Sequence, residues 1–72
     1  MKKLRRIASH ATILENGSRQ TLLAIELMEG RVINWFPLIG EMAQTEWMPG
    51  EIVLRRDGEG FLRAYHNNIM IE

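Results

Sequence analysis

The chain contains no cysteine, and this absence excludes disulfides, thiolate zinc sites and thiol nucleophiles. Long hydrophobic runs are also missing, since no apolar stretch approaches the roughly 18 residues of a membrane-spanning helix. A surplus of one charge is missing as well, because nine Lys and Arg residues balance nine Asp and Glu residues. Nucleic-acid-binding surfaces usually show a basic surplus, so this balance weighs against such a function.

Groups that could carry catalysis are scarce. His10 and His66 lie far apart in the sequence and lack the close spacing that is typical of metal ligands. Ser9 and Ser18 are the only serines, and neither lies in a nucleophile-elbow pattern. We therefore expect no enzyme activity, no metal site and no cofactor.

The length of 72 residues allows one small domain over residues 1–72. A chain of this size buries only about 60% of the surface that its unfolded form exposes. Hydrophobic residues nevertheless make up 46% of the chain, which is a normal level for larger proteins. Some of these side chains have little interior to enter. The composition therefore predicts a homo-oligomer or a protein partner.

Four positive charges lie within the first six residues, at Lys2, Lys3, Arg5 and Arg6. No apolar stretch of about 7–15 residues follows them, so they do not form a secretory signal. The absence of a signal and the absence of cysteine both favour a cytoplasmic protein without a membrane partner.

Tight-turn sequences divide the chain at short intervals. Asn16-Gly17 is a strong hairpin signal, because type I′ turns need positive φ at both central residues. Glu29-Gly30 and residues 57–60 mark two further turns. The segments between the turns are rich in β-branched, aromatic and aliphatic residues: 4–14, 20–28, 31–38, 51–56, 61–66 and 69–72. This spacing predicts an all-β fold, a small antiparallel meander of five or six strands forming an open barrel or sandwich.

The third segment is apolar on both faces, since strict alternation places Ile33 and Trp35 on one face and Val32 and Phe36 on the other. Such a strand is either sandwiched or part of an interface, and for Trp35 we expect a core position. Residues 39–50 show no alternation and are predicted to form an irregular loop, where function tends to lie. The candidate interface residues of this region are Trp35, Phe36, Leu38, Met42, Trp47 and Met48.

A second hypothesis is a small nucleic-acid or anion-binding barrel. Single-strand-binding barrels combine cationic grooves with aromatic rings, and Phe61 and Tyr65 lie among arginines. The candidate cations are Lys2, Lys3, Arg5, Arg6, Arg55, Arg56 and Arg63. The zero net charge makes a nucleic-acid partner the weaker of the two hypotheses.

Five short motifs follow one another over residues 4–54: IASHATIL, ENGS, LLAIEL, EGRVINWFPL and TEWMPGEIVL. This succession resembles the small N-terminal β-domain of the amidohydrolases, metal-dependent hydrolases of the dihydroorotase and imidazolonepropionase type. Residues 28–33 match the acidic-Gly-Arg turn of that domain, and residues 48–52 match its Pro-Gly strand.

In those enzymes a His-x-His metal pair follows the Pro-Gly strand, whereas residues 53–57 here read VLRRD. A catalytic barrel of about 250 residues is also absent from these 72 residues. The resemblance therefore implies a small open β-barrel or sandwich that serves as scaffold and contact surface, and it implies no hydrolase activity.

Overall fold

The computed structural model describes residues 3–40 and 42–72, and these residues form nine β-strands. The strands are β1 (Leu4–Ala8), β2 (Ala11–Ile13), β3 (Arg19–Thr21), β4 (Leu23–Met28), β5 (Arg31–Pro37), β6 (Thr45–Trp47), β7 (Glu51–Arg56), β8 (Leu62–His66) and β9 (Ile69–Met70). The four-stranded sheet has the order β5-β4-β1-β6, and the five-stranded sheet has the order β3-β2-β7-β8-β9. The predicted all-β class, an open barrel or sandwich, is confirmed.

Three segments of the chain bend and contribute strands to both sheets. Only Ser9 and His10 separate β1 from β2, only Leu22 separates β3 from β4, and residues 48–50 separate β6 from β7. Leu22 forms the bend between β3 and β4 with a positive φ of 53°, a value that is uncommon for a residue with a side chain. Strands that switch sheets in this way make the corners of packed sheets, so the two sheets here are parts of one open barrel.

Two of the strand pairings are parallel, which a simple antiparallel meander does not contain. β1 lies parallel to β6 and β2 lies parallel to β7, while the remaining pairings are antiparallel. β5 and β6 are consecutive in the chain but lie at opposite edges of the four-stranded sheet, so β6 can pair with β1 in parallel. Part of the region predicted as an irregular loop is therefore strand β6. Three residues are too few to show an alternation in sequence.

A β-bulge in β5 changes which side chains face the interior. The register pairs Trp35 with Ile25 and Val32 with Leu27, and it leaves Ile33 unpaired. Paired residues share a face of the sheet, so Val32 and Trp35 both lie on the side of the buried Ile25 and Leu27. Strict alternation had placed these two side chains on opposite faces. That prediction is wrong, because the bulge inserts one extra residue between them.

The core lies between the two sheets and consists of aliphatic side chains from both. Its buried members are Ile7, Ile25, Leu27, Ile52, Leu54, Leu62, Ala64 and Ile71. Neither tryptophan belongs to this cluster, since the exposed fraction is 40% for Trp35 and 48% for Trp47. The aliphatic residues of the alternating segments thus fill the interior, and the large aromatic rings lie at its margin or outside it.

Side chains close the gap between β5 and β8. The Arg63 guanidinium donates a hydrogen bond to the Asp57 carboxylate at 2.8 Å and a longer one to the Glu29 carbonyl at 3.4 Å. Gly30 lies against the same group, since a Cβ at this position would come within 2.7 Å of the Arg63 Nη1 atom. The turn after β4 and the loop before β8 are thereby held together.

The core predicts a clear contrast between two isoleucines. Ile52→Ala removes a fully buried side chain, and we expect it to lower the free energy of unfolding by about 2–5 kcal/mol. Ile69→Ala removes a side chain that is 70% exposed, and its effect should stay within about 0.5 kcal/mol. Urea unfolding of the two variants measures both values. Equal effects would contradict the placement of the core.

Candidate interaction surfaces

The edge strand β5 is the longest strand of the protein, with seven residues. Within the described residues its only hydrogen-bonded strand neighbour is β4, so the backbone groups on its other side have no strand partner, although Arg31 at its start stacks on Phe61 beside β8. Arg31 is its only charged residue, and the exposed fraction is 53% for Ile33 and 40% for Trp35. A long edge strand with exposed apolar side chains is a template for pairing with another chain. Pro37 lacks an amide hydrogen and limits such pairing at the end of the strand.

The other sheet edges are short, and two of them carry a charge within three residues. β6 has three residues including Glu46, β3 has three exposed residues including Arg19, and β9 has two residues. Short, charged edge strands are the devices by which proteins prevent edge-to-edge pairing. Among the described strands, β5 is therefore the edge best suited to a partner.

Trp35 lies where the space between the sheets opens to solvent. A small concavity at this margin is lined by Trp35 together with Leu14, Leu54 and Leu62. The Trp35 ring thus lies on the interior face of its sheet, as predicted, but it is not buried, and that part of the prediction is wrong. The ring lines this concavity instead of filling the core, and part of its surface therefore stays exposed.

Phe36 and Trp47 share the outer face of the four-stranded sheet. The register places Phe36, Ala24, Ala8 and Trp47 in one row across all four strands. The two alanines are fully buried, and the rings of the two larger residues lie on either side of them. The His10 ring meets the Trp47 ring edge-on, with 4.8 Å between the centroids.

Ala43 lies at this outer face, because its carbonyl accepts a hydrogen bond from Arg6 at 3.1 Å. The same Arg6 guanidinium forms an ion pair with Glu26 at 2.9 Å, and both side chains are largely shielded from solvent. The sequence places these residues on three separate segments, so only the register reveals that they meet.

The remaining interface candidates lie in different surroundings. The Leu38 amide donates to the Leu22 carbonyl at 2.8 Å, which ties the end of β5 to the bend between β3 and β4. Met42 is half-buried in the segment 38–44, and Met48 packs against the core. The six predicted residues therefore do not form one patch. Trp35 remains beside the free edge of β5, and Met48 belongs to the interior.

Most of the basic residues predicted to bind nucleic acid are paired with carboxylates. The pairs are Arg5–Glu46 at 2.6 Å, Arg6–Glu26 at 2.9 Å, Arg56–Glu15 at 2.8 Å and Arg63–Asp57 at 2.8 Å. Lys3 is exposed, and Lys2 lies outside the described residues. These cations are spread over both sheets, and the structure does not gather them into a single basic groove.

An open groove of about 1070 Å³ lies beside β1 and β6. Charges of both signs line it in equal number, with Lys3, Arg5 and Arg6 against Glu29, Glu46 and Glu72. The hydrogen bond between Arg5 and Glu46 lowers the pKa of the Glu46 carboxyl and raises the pKa of the Arg5 guanidinium. The pair neutralises both groups, and the groove offers no surplus charge to a ligand.

Asp57 organises the loop between β7 and β8. Its carboxylate accepts hydrogen bonds from Arg63 Nε at 2.8 Å and from the amides of Phe61 at 3.0 Å and Glu59 at 2.8 Å. These bonds, the one from Arg63 first, hold the pKa of the Asp57 carboxyl below its usual value. The ionised carboxylate thus keeps Arg63 in place against the turn at Gly30.

Two further arginines stack on aromatic rings. The Arg55 guanidinium lies 4.1 Å from the centroid of the Tyr65 ring, and the Arg31 guanidinium lies 3.7 Å from that of Phe61. The sequence identifies Arg55 with the two rings, but it does not identify Arg31. No local signal could have done so, because Arg31 and Phe61 belong to different sheets.

The histidines engage different partners. His66 Nε2 lies 2.7 Å from the Pro49 carbonyl, to which it donates, whereas His10 packs on Trp47.

Within residues 3–40 and 42–72, no cluster of three His, Cys, Asp or Glu side chains could hold a metal ion. The same residues contain no helix long and apolar enough to cross a membrane. No protein family, curated protein or solved structure that we compared with the chain matches it.

The role of Asp57 predicts a pH-dependent difference in stability. Its pKa is lower in the folded state than in the unfolded state, so its stabilising effect is present above the unfolded value of about 4 and is lost as the pH falls through the folded value. Asp57→Asn should therefore unfold at lower urea concentration than the wild type at pH 7, and the two should converge in acid. Glu59→Gln removes the same charge from an exposed side chain of this loop and serves as the control. A constant gap between Asp57→Asn and the wild type from pH 7 to pH 2 would contradict this role.

Proposed function

We propose that the protein is a non-catalytic β module that associates with a second copy of itself through the free edge of β5. The observation that carries this proposal is the combination of a seven-residue edge strand, one charged residue at its start and exposed apolar side chains. Ile39, which is 82% exposed, extends the apolar surface just beyond the strand. An unpaired edge and an apolar surface at the same place favour a protein partner over solvent.

A second copy fits this edge for two reasons. The chain has no net charge, so two copies approach each other without long-range repulsion. Two identical edge strands can also pair antiparallel about a two-fold axis, which is the commonest symmetry of soluble oligomers. A stable interface buries about 800 Å² on each partner. This would be about one sixth of the 4854 Å² of accessible surface, so Trp35 and Ile39 are needed beside the strand itself.

The arrangement of the charged groups among residues 3–40 and 42–72 supports a non-catalytic role. Catalysis needs a converging set of acid, base and nucleophile in a cleft, and in the described groove the Arg5 guanidinium and the Glu46 carboxylate are held by each other. The resemblance to the N-terminal β-domain of the amidohydrolases, in which this domain is scaffold and contact surface, points the same way. The lack of cysteine fits a cytoplasmic location.

Light scattering coupled to size-exclusion chromatography, over a concentration series, tests the association. We expect a mass of about twice 8.4 kDa at high concentration, falling toward 8.4 kDa on dilution. Ile33→Lys should shift the protein to the monomer, because a lysine on an edge strand blocks pairing. Ile69→Lys adds the same charge to an exposed position on β9 and should leave the dimer intact.

Two outcomes would contradict the proposal. A constant mass of 8.4 kDa at every concentration would show that the chain does not associate with itself. A dimer that survives Ile33→Lys but is lost with Trp47→Ala would move the interface to the opposite edge of the four-stranded sheet.

A further inference from the structure

The outer face of the five-stranded sheet carries a row of apolar side chains. The register places Ile13, Val53, Tyr65 and Met70 side by side across β2, β7, β8 and β9. All four are half-buried, and no described strand packs over them. The solvent face of such a sheet is ordinarily polar, so this row requires a separate explanation.

Two unpaired cations lie on the same face. Side chains alternate along a strand, so Phe61, Arg63 and Tyr65 point outward while Leu62 and Ala64 enter the core. Each ring is covered by a guanidinium, that of Arg31 over Phe61 and that of Arg55 over Tyr65.

Neither Arg31 nor Arg55 has a carboxylate partner within the described residues. Arg63, between the two rings, is already held by Asp57. The outer face of β8 thus presents two available positive charges on a chain that is neutral as a whole. An anionic ligand is the complement of such a face.

The spacing of the two stacked pairs restricts the kind of anion. Phe61 and Tyr65 are four residues apart on an extended chain, so their rings are separated by about 13 Å. A single phosphate or mononucleotide cannot reach both guanidinium groups, whereas an extended polymer can. The free side of each guanidinium plane can stack on a planar base while its N–H groups donate to phosphate oxygens.

From this geometry we propose that the outer face of the five-stranded sheet binds single-stranded nucleic acid, with bases stacked on Arg31 and Arg55. An acidic peptide would match the charge but not the flat guanidinium surfaces. A duplex is excluded as the ligand because its bases are already stacked on one another. The proposal rests on the two arginine–aromatic stacks and not on the backbone edge of β5, although Arg31, the first residue of β5, supplies one of the stacks.

Fluorescence anisotropy with a labelled six-nucleotide oligothymidylate at low salt tests this site. We expect saturable binding that weakens with salt, with a slope of about −1.4 in log K against log salt for two phosphate contacts. Arg31→Gln and Arg55→Gln should each weaken binding by about fivefold to a hundredfold, the range for losing one stacked base. Arg56→Gln makes the same charge change at a guanidinium already held by Glu15, and its effect should be less than about twofold.

Circular dichroism and the solution mass of each variant separate loss of the site from loss of the fold or of the dimer. The Ile33→Lys variant should bind the oligonucleotide as the wild type does. Absence of binding by the wild type at low salt would overturn the proposal. An equal loss with Arg56→Gln would show a general charge effect instead, and equal affinity for thymidine monophosphate would show that no bridging occurs. Tighter binding of a polyglutamate peptide would assign the face to an acidic protein.

Discussion

The bends that carry three chain segments from one sheet to the other determine the remaining architecture. Hydrogen bonds run across this corner, from the Leu22 amide to the His10 carbonyl at 3.2 Å and from the Met48 amide to the Ala8 carbonyl at 2.8 Å. The buried Ser9 hydroxyl donates to the Ala11 carbonyl at 2.7 Å and satisfies a backbone group at the turn. The same chain segments contribute strands to both sheets. The inner faces of the two sheets therefore meet in one aliphatic core, and β5 and β8 lie at the two ends of this core.

In this arrangement β5 and β8 differ in the number of strands that pair with them. β8 is flanked by β7 and β9, whereas β5 has β4 on one side only. The contacts of Arg63 and Arg31 join the two strands without a continuous ladder of backbone hydrogen bonds. These side-chain contacts bring the start of β5 close to β8, but the two sheets do not close into a barrel, and the outer backbone edge of β5 has no strand partner among the described residues. The edge of β5 and the arginine–aromatic face adjoin at Arg31, which begins β5 and covers the Phe61 ring before β8.

The sequence predicts local structure better than the contacts between segments. Asn16-Gly17 and Glu29-Gly30 mark real turns because tight turns are encoded by the residues that form them, although only Gly17 of the first pair has the positive φ that a type I′ turn needs at both positions. No such local signal marks the bulge at Ile33, and this bulge places Val32 on the opposite face of the sheet from the one predicted. The stack of Arg31 on Phe61 also depends on how the two sheets approach each other, and the spacing of residues along the chain does not contain that information.

Amide hydrogen exchange of β5 at high and low protein concentration tests the central claim most directly, because it reports on the edge itself. Pairing of two copies predicts that the amides of residues 31–36 that point away from β4 become protected at high concentration. The amides of β9 should exchange at the same rate at both concentrations. Exchange along β5 that does not change with concentration would contradict the account, since it would show that the free edge stays open to water.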